Sequence, residues 1–533
     1  MEEFEWRNCE YPLRLATIKM INTLRSIRRL TQITRTLARY NLLPLLSNAG
    51  ISANMLKIIH FLAMIRQNPA KDFLSKTRGE RLAVALTALG PVFIKIGQAL
   101  SVRRDIIGDD IARDLSLLRD RLPPFPTELA KMTIESELGK PLDSLYSKFD
   151  DKPAAAASIA QVHFAITLEG DPVAVKVLRP GIEQAFAREL DFIYWTMDIL
   201  EKCFPKIRRL KLKEAINVIS DTIAQELDLR LEAAAGDELR TNFAHDQTFK
   251  VPKMDWKRTN RRVLTVERVD GLAITNGSEL REQGYDTGKI VTDLARVVFL
   301  QVFRDGFFHA DLHPGNIFIT SDLSIRPVDF GIMGRIDRPT RLYLAEILMG
   351  FLNRNYQQVS RAHFKAGYVP SNQSEAAFAQ AARAIAEPIL ELPLKDISLA
   401  QLLAQLFRVT ERFKMETQPQ LLLLQKTMLV AEGVGRDLHP ETNMWELARP
   451  LITQWVNENM SPETQAADLA ADARKIIENL PNIISKMAEN SGPKQLNELK
   501  LHEDTINILT KKNSKQWVFY TSIVIVLVAL AIS

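Results

Sequence analysis

Apolar residues recur every three to four positions at Ile18, Ile21, Leu24, Ile27, Leu30 and Ile33, with Arg25, Arg28, Arg29, Arg35 and Arg39 among them. That spacing predicts an amphipathic helix with a basic face. It suits an anionic membrane surface, or packing on its own domain with the arginines in water. Helical periodicity continues through Leu82–Leu100 and stops at the cluster Pro123, Pro124 and Pro126. After this break the period changes to two. Gln161–Leu168 alternates and Val173–Leu178 is β-branched and apolar, with Glu169-Gly170-Asp171-Pro172 as the turn between them. Helical patterns cover Ile182–Leu200 and Lys211–Leu239, and short strand-like runs follow at Val263–Val269, Ile317–Ile319 and Ile325–Val328. From about Arg341 to Lys486 the chain reads as helix throughout, with no new chemical motif. Asn490–Lys515 is polar and reads as a linker. Trp517–Ile532 is an uncharged apolar run.

At 533 residues the chain is too long for one simple core, so two or three units are expected. A net charge of +5 is too mild to argue for nucleic acid. The two cysteines, Cys9 and Cys203, cannot form a disulfide framework, and neither lies in a metal-binding cluster. The glutamates near the amino terminus argue against a signal or transit peptide. The apolar run would reach about 24 Å as a helix, somewhat short of a bilayer core. Trp517 and Tyr520, with Lys511, Lys512 and Lys515 just before, favour a membrane anchor over a buried helix. The expectation is a single-pass or tail-anchored protein with its catalytic part on the cytoplasmic side.

The strongest chemical signal is His309-Ala310-Asp311-Leu312-His313-Pro314-Gly315-Asn316 followed by Asp329-Phe330-Gly331. Phosphoryl transfer needs a carboxylate near the nucleophile and oxygen ligands that hold Mg²⁺ against phosphates. Asp311 fits the first role, and Asn316 and Asp329 fit the second. The order and spacing are those of a protein-kinase catalytic loop and DFG motif. Read alone, His309, Asp311 and His313 would suggest a zinc site; Asn316 and the DFG triplet weigh against that. Lys176, in Val173-Ala174-Val175-Lys176, reads as the strand lysine that contacts nucleotide phosphates. Its partner must be a carboxylate on a helix, and Glu226, Asp228 and Glu232 are the candidates. Asp228 and Glu232 are expected to share one helix face. Where a kinase places glycines, this chain has Ala154-Ala155-Ala156-Ala157-Ser158-Ile159-Ala160-Gln161-Val162. Alanine limits the close backbone approach and positive φ that glycine allows. In isolation the run reads as a helix fragment.

Taken together, AAAASIAQVH at Ala154–His163, AVK ending at Lys176, ELDLRLEAA at Glu226–Ala234, HADLHPGN and DFG resemble the UbiB family of atypical protein-kinase-like proteins, associated with ubiquinone biosynthesis. Lys95-Ile96-Gly97-Gln98 matches the family's KxGQ signature; read alone, Lys95 would be a surface lysine on a helix near a break at Gly97. The resemblance implies an α+β, bilobal kinase-like fold over 121–340. A helical extension carrying KxGQ precedes it at 1–120, and a second follows at 341–490. A linker at 491–515 and a membrane anchor at 516–533 complete the expectation.

By position, the resemblance implies that Lys176 pairs with Glu232 and contacts ATP, that Ala154–Val162 covers the nucleotide, and that Asn316 and Asp329 hold Mg²⁺. Asp311 is the implied proton acceptor. Lys95 and Gln98, with Glu226 and Asp228, would lie over the active site and block an ordinary protein substrate. The 56-residue interval between Lys176 and Glu232 implies an inserted helical pair. The implied activity is that of an ATPase or small-molecule kinase, and the alternative is a catalytically silent nucleotide-binding scaffold. Membrane lipids, polyprenyl quinone precursors and other quinone-pathway proteins are the implied partners, at a bacterial inner membrane. Dimerisation through the single anchor helix is a further expectation.

Overall fold

The computed structural model describes residues 25–42, 76–101, 107–116, 118, 123–203, 212–275, 277–390, 408–415 and 419–460. Four helices come first: α1 over residues 25–39, α2 (Arg78–Leu89), α3 (Pro91–Ser101) and α4 (Asp109–Ser116). Ile33 of α1 packs against the cluster of Leu86, Phe93, Ile94 and Leu115. Arg29 pairs with Glu189 at 2.7 Å, whereas Arg25, Arg28, Arg35 and Arg39 are exposed. Of the apolar stripe, Ile33 is thus used inside the fold while Ile27 is exposed, and Ile18, Ile21 and Leu24 lie outside the described residues. Gly97 causes no break in α3: a β-carbon there would stand 2.6 Å from Leu86 Cδ1, so glycine serves close packing between α2 and α3.

The proline cluster is followed by α5 (Thr127–Leu138) and a five-stranded antiparallel sheet. Its strands are β1 (Tyr146–Phe149), β2 (Ala155–Ala156), β3 (Ala160–Thr167), β4 (Pro172–Leu178) and β5 (Val263–Glu267). They run in the order β1-β3-β4-β5, with β2 paired to β3. Alternation decides the faces. Val173, Val175 and Val177 enter a core with Phe125, Ile134, Tyr146 and Val263, which places Lys176 on the opposite face. The β3–β4 turn closes at Gly170 with φ +94°, a value that favours glycine.

One polar network ties the start of this lobe together. Gln161, fully buried, accepts from the Phe125 N–H at 3.0 Å and donates Nε2–H to His163 Nε2 at 2.8 Å. The imidazole proton therefore sits on Nδ1, which donates to the Asp150 carbonyl at 2.9 Å. Burial holds the His163 pKa below the ordinary value. The folded state keeps this ring neutral, while the unfolded chain binds a proton near pH 6.5, so stability is lost as pH falls below about 6.5. His163→Gln is expected to flatten the dependence of the thermal midpoint on pH between 7.5 and 5.5. An unchanged slope would remove His163 as a contributor.

The interval between the strand lysine and Glu232 holds a helical pair, α6 (Ile182–Cys203) and α7 (Leu212–Glu226), as the resemblance implied. The helix expected over Lys211–Leu239 is interrupted. α7 ends at Glu226, and α8 (Leu229–Asn242) begins after Asp228, whose carboxylate caps it by accepting from the Arg230 N–H. Glu226, Asp228 and Glu232 thus lie on two helices and a cap.

The second lobe contains β6 (Leu272–Ala273), α9 (Gly277–Glu282) and α10 (Thr287–Phe299), then a π-helical turn at Leu300–Asp305. β7 (Phe307–His309), β8 (Ile317–Ile319), β9 (Ile325–Pro327) and β10 (Met333–Arg335) form two small sheets, β6-β8-β9 and β10-β7. The helices α11 (Arg338–Leu352), α12 (Tyr356–Lys365), α13 (Glu375–Ala386), α14 (Pro419–Leu438) and α15 (Met444–Asn459) follow. Contacts divide the chain into Met1–Trp455 and Val456–Ser533, and every site residue discussed below lies in the first unit. Among the described residues no helix is long and apolar enough to cross a membrane. The linker at 491–515 and the run Trp517–Ile532 lie outside the described residues.

Candidate active site

Lys176 projects from β4 toward α8, where its Nζ meets both oxygens of Glu232 at 2.7 and 2.8 Å. The same ammonium lies 3.5 Å from Asp329 Oδ1. Burial alone would depress the Lys176 pKa, but Asp329 and Glu232 outweigh it and hold the ammonium above the usual lysine range. Burial pushes the Glu232 carboxyl up to about 7, with Asp329 adding to the rise and Lys176 opposing it. Burial also works against the charge on Asp329. Lys176, followed by the Gly331 N–H and Lys95, nevertheless holds that carboxyl well below the usual range. One cation thus stands between two carboxylates, one from α8 and one from the DFG triplet.

The catalytic loop is set by its own hydrogen bonds. Across the β7–β10 ladder His309 pairs with Met333, and the Ala310 N–H donates to the Ile332 carbonyl at 3.0 Å. The Val328 N–H donates to the Asn316 carbonyl at 3.0 Å, drawing the two Mg²⁺-ligand candidates together. His309 Nδ1 accepts from the Asp311 N–H at 3.1 Å, and Nε2 donates to the Asp329 carbonyl. Both ring nitrogens are therefore used internally, which excludes His309 as a ligand and removes the HxDxH zinc reading. Burial lowers the His309 pKa, in keeping with a neutral ring in this role. Asn316 and Asp329 offer an amide and a carboxylate oxygen, hard donors that suit Mg²⁺ completed by water and phosphate oxygens.

Phe330, the middle residue of DFG, is buried against α8. The contact is close because residue 236 is glycine: a β-carbon there would stand 2.9 Å from Phe330 Cδ2 and 2.3 Å from Met254 Cε.

The alanine-rich loop divides in two. Ala154 and Ala155 are exposed, and Ala156 and Ala157 are half-buried. Ala155 and Ala156 pair with Val162 and Gln161 as a short hairpin, not as helix. Ser158, Ile159, Ala160 and Gln161 are buried, and Gln161 is committed to the Phe125–His163 network. The tip of the predicted cover is thus open to a ligand, as is Val162, half-buried and directly opposite Lys176 on the same face of the sheet. Arg179, which the sequence reading passed over, fixes the loop from below. Its side chain donates to the carbonyls of Ala157 at 3.1 Å, Ser158 at 3.2 Å and Pro123 at 3.0 Å.

Lys95 is no surface lysine: its Nζ lies 2.8 Å from Glu226 Oε2, with both side chains mostly buried. Its charge also reaches Asp329, so α3 lies beside the site. Asp228 does not join this contact. It is taken up by its capping bond and by Arg230, at 2.9 and 2.6 Å. Gln98 donates to the Leu118 carbonyl at 3.4 Å.

The helical extension also carries chemistry that the sequence reading missed. Lys426, on α14, places Nζ 2.7 Å from Asp311 Oδ1, and Thr427 Oγ1 donates to the His309 carbonyl at 3.2 Å.

These features define a kinase-like protein of atypical form. The ABC1 atypical kinase-like domain model matches residues 117–363, and the UbiB helical domain model matches residues 382–443. The "Probable protein kinase UbiB" of Pseudomonas entomophila is 40% identical over 484 residues, covering 90% of each chain. That of Marinobacter nauticus is 41% identical over 440 residues, 82% of this chain and 80% of the relative. The chain belongs to the UbiB family. The solved complex of Rv3197 with erythromycin, from Mycobacterium tuberculosis, is similar in fold, with a TM-score of 0.50 at 24% identity; it covers 67% of this chain and 91% of that one.

Proposed function

We propose that the protein binds Mg·ATP between the five-stranded sheet and the catalytic loop, and hydrolyses it or passes its γ-phosphoryl to a small acceptor. The observation that carries this reading is the placement of Lys176 between Glu232 and Asp329. Lys176 would hold the nucleotide phosphates, while Asn316 and Asp329 would bind the metal. When bound, magnesium offsets charge on the phosphate oxygens. Asp311 accepts the proton of the incoming hydroxyl or water. The Lys95–Glu226 pair brings the KxGQ helix close to the site. That arrangement favours a small acceptor over a protein chain.

The cellular role proposed is support of ubiquinone biosynthesis at the cytoplasmic face of the bacterial inner membrane. It rests on the family, whose relatives carry the UbiB name. Polyprenyl quinone precursors, membrane lipids and other quinone-pathway proteins are the proposed partners, with Trp517–Ile532 as the proposed anchor and a homodimer as its proposed assembly. A silent nucleotide-binding scaffold is the second reading, favoured by alanines where kinases place glycines.

Phosphate release from Mg·ATP, with and without anionic liposomes, separates the two. The intact protein is expected to hydrolyse ATP faster on liposomes, and Asp311→Asn and Asp329→Asn are each expected to reduce that activity to a small but measurable residue. Nucleotide binding without hydrolysis above the variants would favour the scaffold.

A further inference from the structure

Between Arg304 and Arg326 the chain has no lysine or arginine, so the catalytic loop carries no permanent cation of its own. Among the described residues, the two other lysines placed at the site are already committed, Lys176 to Glu232 and Asp329, and Lys95 to Glu226. The cation that meets Asp311 arrives from the helical extension, 115 residues away in sequence. Two consecutive residues of α14 grip the same three-residue stretch of loop. Thr427, buried, binds the His309 carbonyl, and Lys426 binds Asp311 Oδ1. The Lys426–Asp311 pair is itself about one-third exposed on each side. An ion pair so open to water adds little to stability, so fold stability alone gives a weak reason for its presence.

We propose that Lys426 is the positioning residue of Asp311. The ammonium fixes the carboxylate through Oδ1 and leaves Oδ2 to receive the proton of the incoming nucleophile. Neighbouring positive charge weakens a base, but phosphoryl transfer with a loose transition state asks more for orientation than for basicity. The helical extension thereby becomes part of the active site: a displacement of α14 moves the carboxylate with it. The opposite assignment, in which Lys426 merely blocks Asp311, predicts that removing the lysine speeds turnover.

This inference rests on the reading of Asp311 as the proton acceptor, and the test separates the two. Phosphate release and Mg·ATP affinity are measured on the full chain for Lys426→Met, Lys426→Arg, Asp311→Asn and the Lys426→Met/Asp311→Asn pair. Lys426→Met is expected to lower kcat roughly 10- to 100-fold, as for a misplaced catalytic group, with Mg·ATP affinity nearly unchanged. Lys426→Arg is expected to recover most of the loss. In the Asp311→Asn background Lys426→Met is expected to cost nothing further, because the two act as one unit. Unchanged or faster turnover in Lys426→Met overturns the inference, as does a loss that persists without Asp311 or that follows a matching loss of affinity. If Asp311→Asn leaves hydrolysis intact, the reading of Asp311 itself falls; if only Lys426 proves dispensable, that reading stands.

Discussion

Lys176→Met is expected to abolish Mg·ATP binding and to make the fold increasingly unstable as pH rises. The substitution removes the cation that sits between Glu232 and Asp329 and leaves the buried Glu232 carboxylate facing that of Asp329, which is partly exposed. Breaking a buried pair by removing one partner costs about 3–5 kcal/mol when the remaining charge stays ionised. Glu232 can escape part of that cost. Burial already pushes its carboxyl up to about 7 with the lysine present, and without it the pKa rises further. In the variant the folded state holds a proton on Glu232 that the unfolded chain, titrating near 4.5, has lost. Stability therefore falls as pH rises from about 4.5 through the folded value. Denaturation at pH 6 and pH 8 measures this, with the difference from wild type larger at pH 8. A deficit independent of pH would mean that Glu232 is not the group left unpaired.

The second large effect concerns a residue without polar chemistry. Gly236 lies inside α8, where alanine would ordinarily add up to about 1 kcal/mol of helix stability. Here the added methyl would stand 2.9 Å from the Phe330 ring and 2.3 Å from Met254 Cε. Met254 has a flexible end that can move. Phe330 is buried at 2% exposure and is bracketed by Asp329 and Gly331, so its displacement carries the metal-ligand candidate with it. Overpacking of this kind costs about 1–3 kcal/mol, enough to reverse the propensity gain. Gly236→Ala is expected to lower the thermal midpoint and to reduce hydrolysis at least tenfold. A stabilised, fully active variant would show that helix and DFG triplet are not held in contact as described.

How far the site could be read from the chain depends on the range of each interaction. The β3–β4 hairpin and Lys176 were legible because alternation and a four-residue turn are local signals. The catalytic loop and DFG triplet were legible because Asp311, Asn316 and Asp329 lie within eighteen residues. Asp228 was misplaced because aspartate suits both a helix surface and a helix cap. The clue was its position before Leu229-Arg230-Leu231, where its carboxylate takes the Arg230 N–H and ends the continuity with α7. The alanine run read as helix because alanine favours helix, yet pairing with Val162 and Gln161 and two carbonyl contacts from Arg179, to Ala157 and Ser158, make it a hairpin. Lys426 was illegible. Its partner is distant in sequence, and within the leucine-rich run of α14 only the polar step Gln425-Lys426-Thr427 hinted at a buried polar contact.

The most direct test of the central claim is a calorimetric titration of ATP into the intact protein, with and without Mg²⁺, beside Lys176→Met. The account predicts magnesium-dependent binding to the intact protein and at least a hundredfold loss in the variant. Equal affinity in the two proteins, or binding indifferent to magnesium, would contradict the assignment of Lys176, Asn316 and Asp329 to a Mg·ATP site.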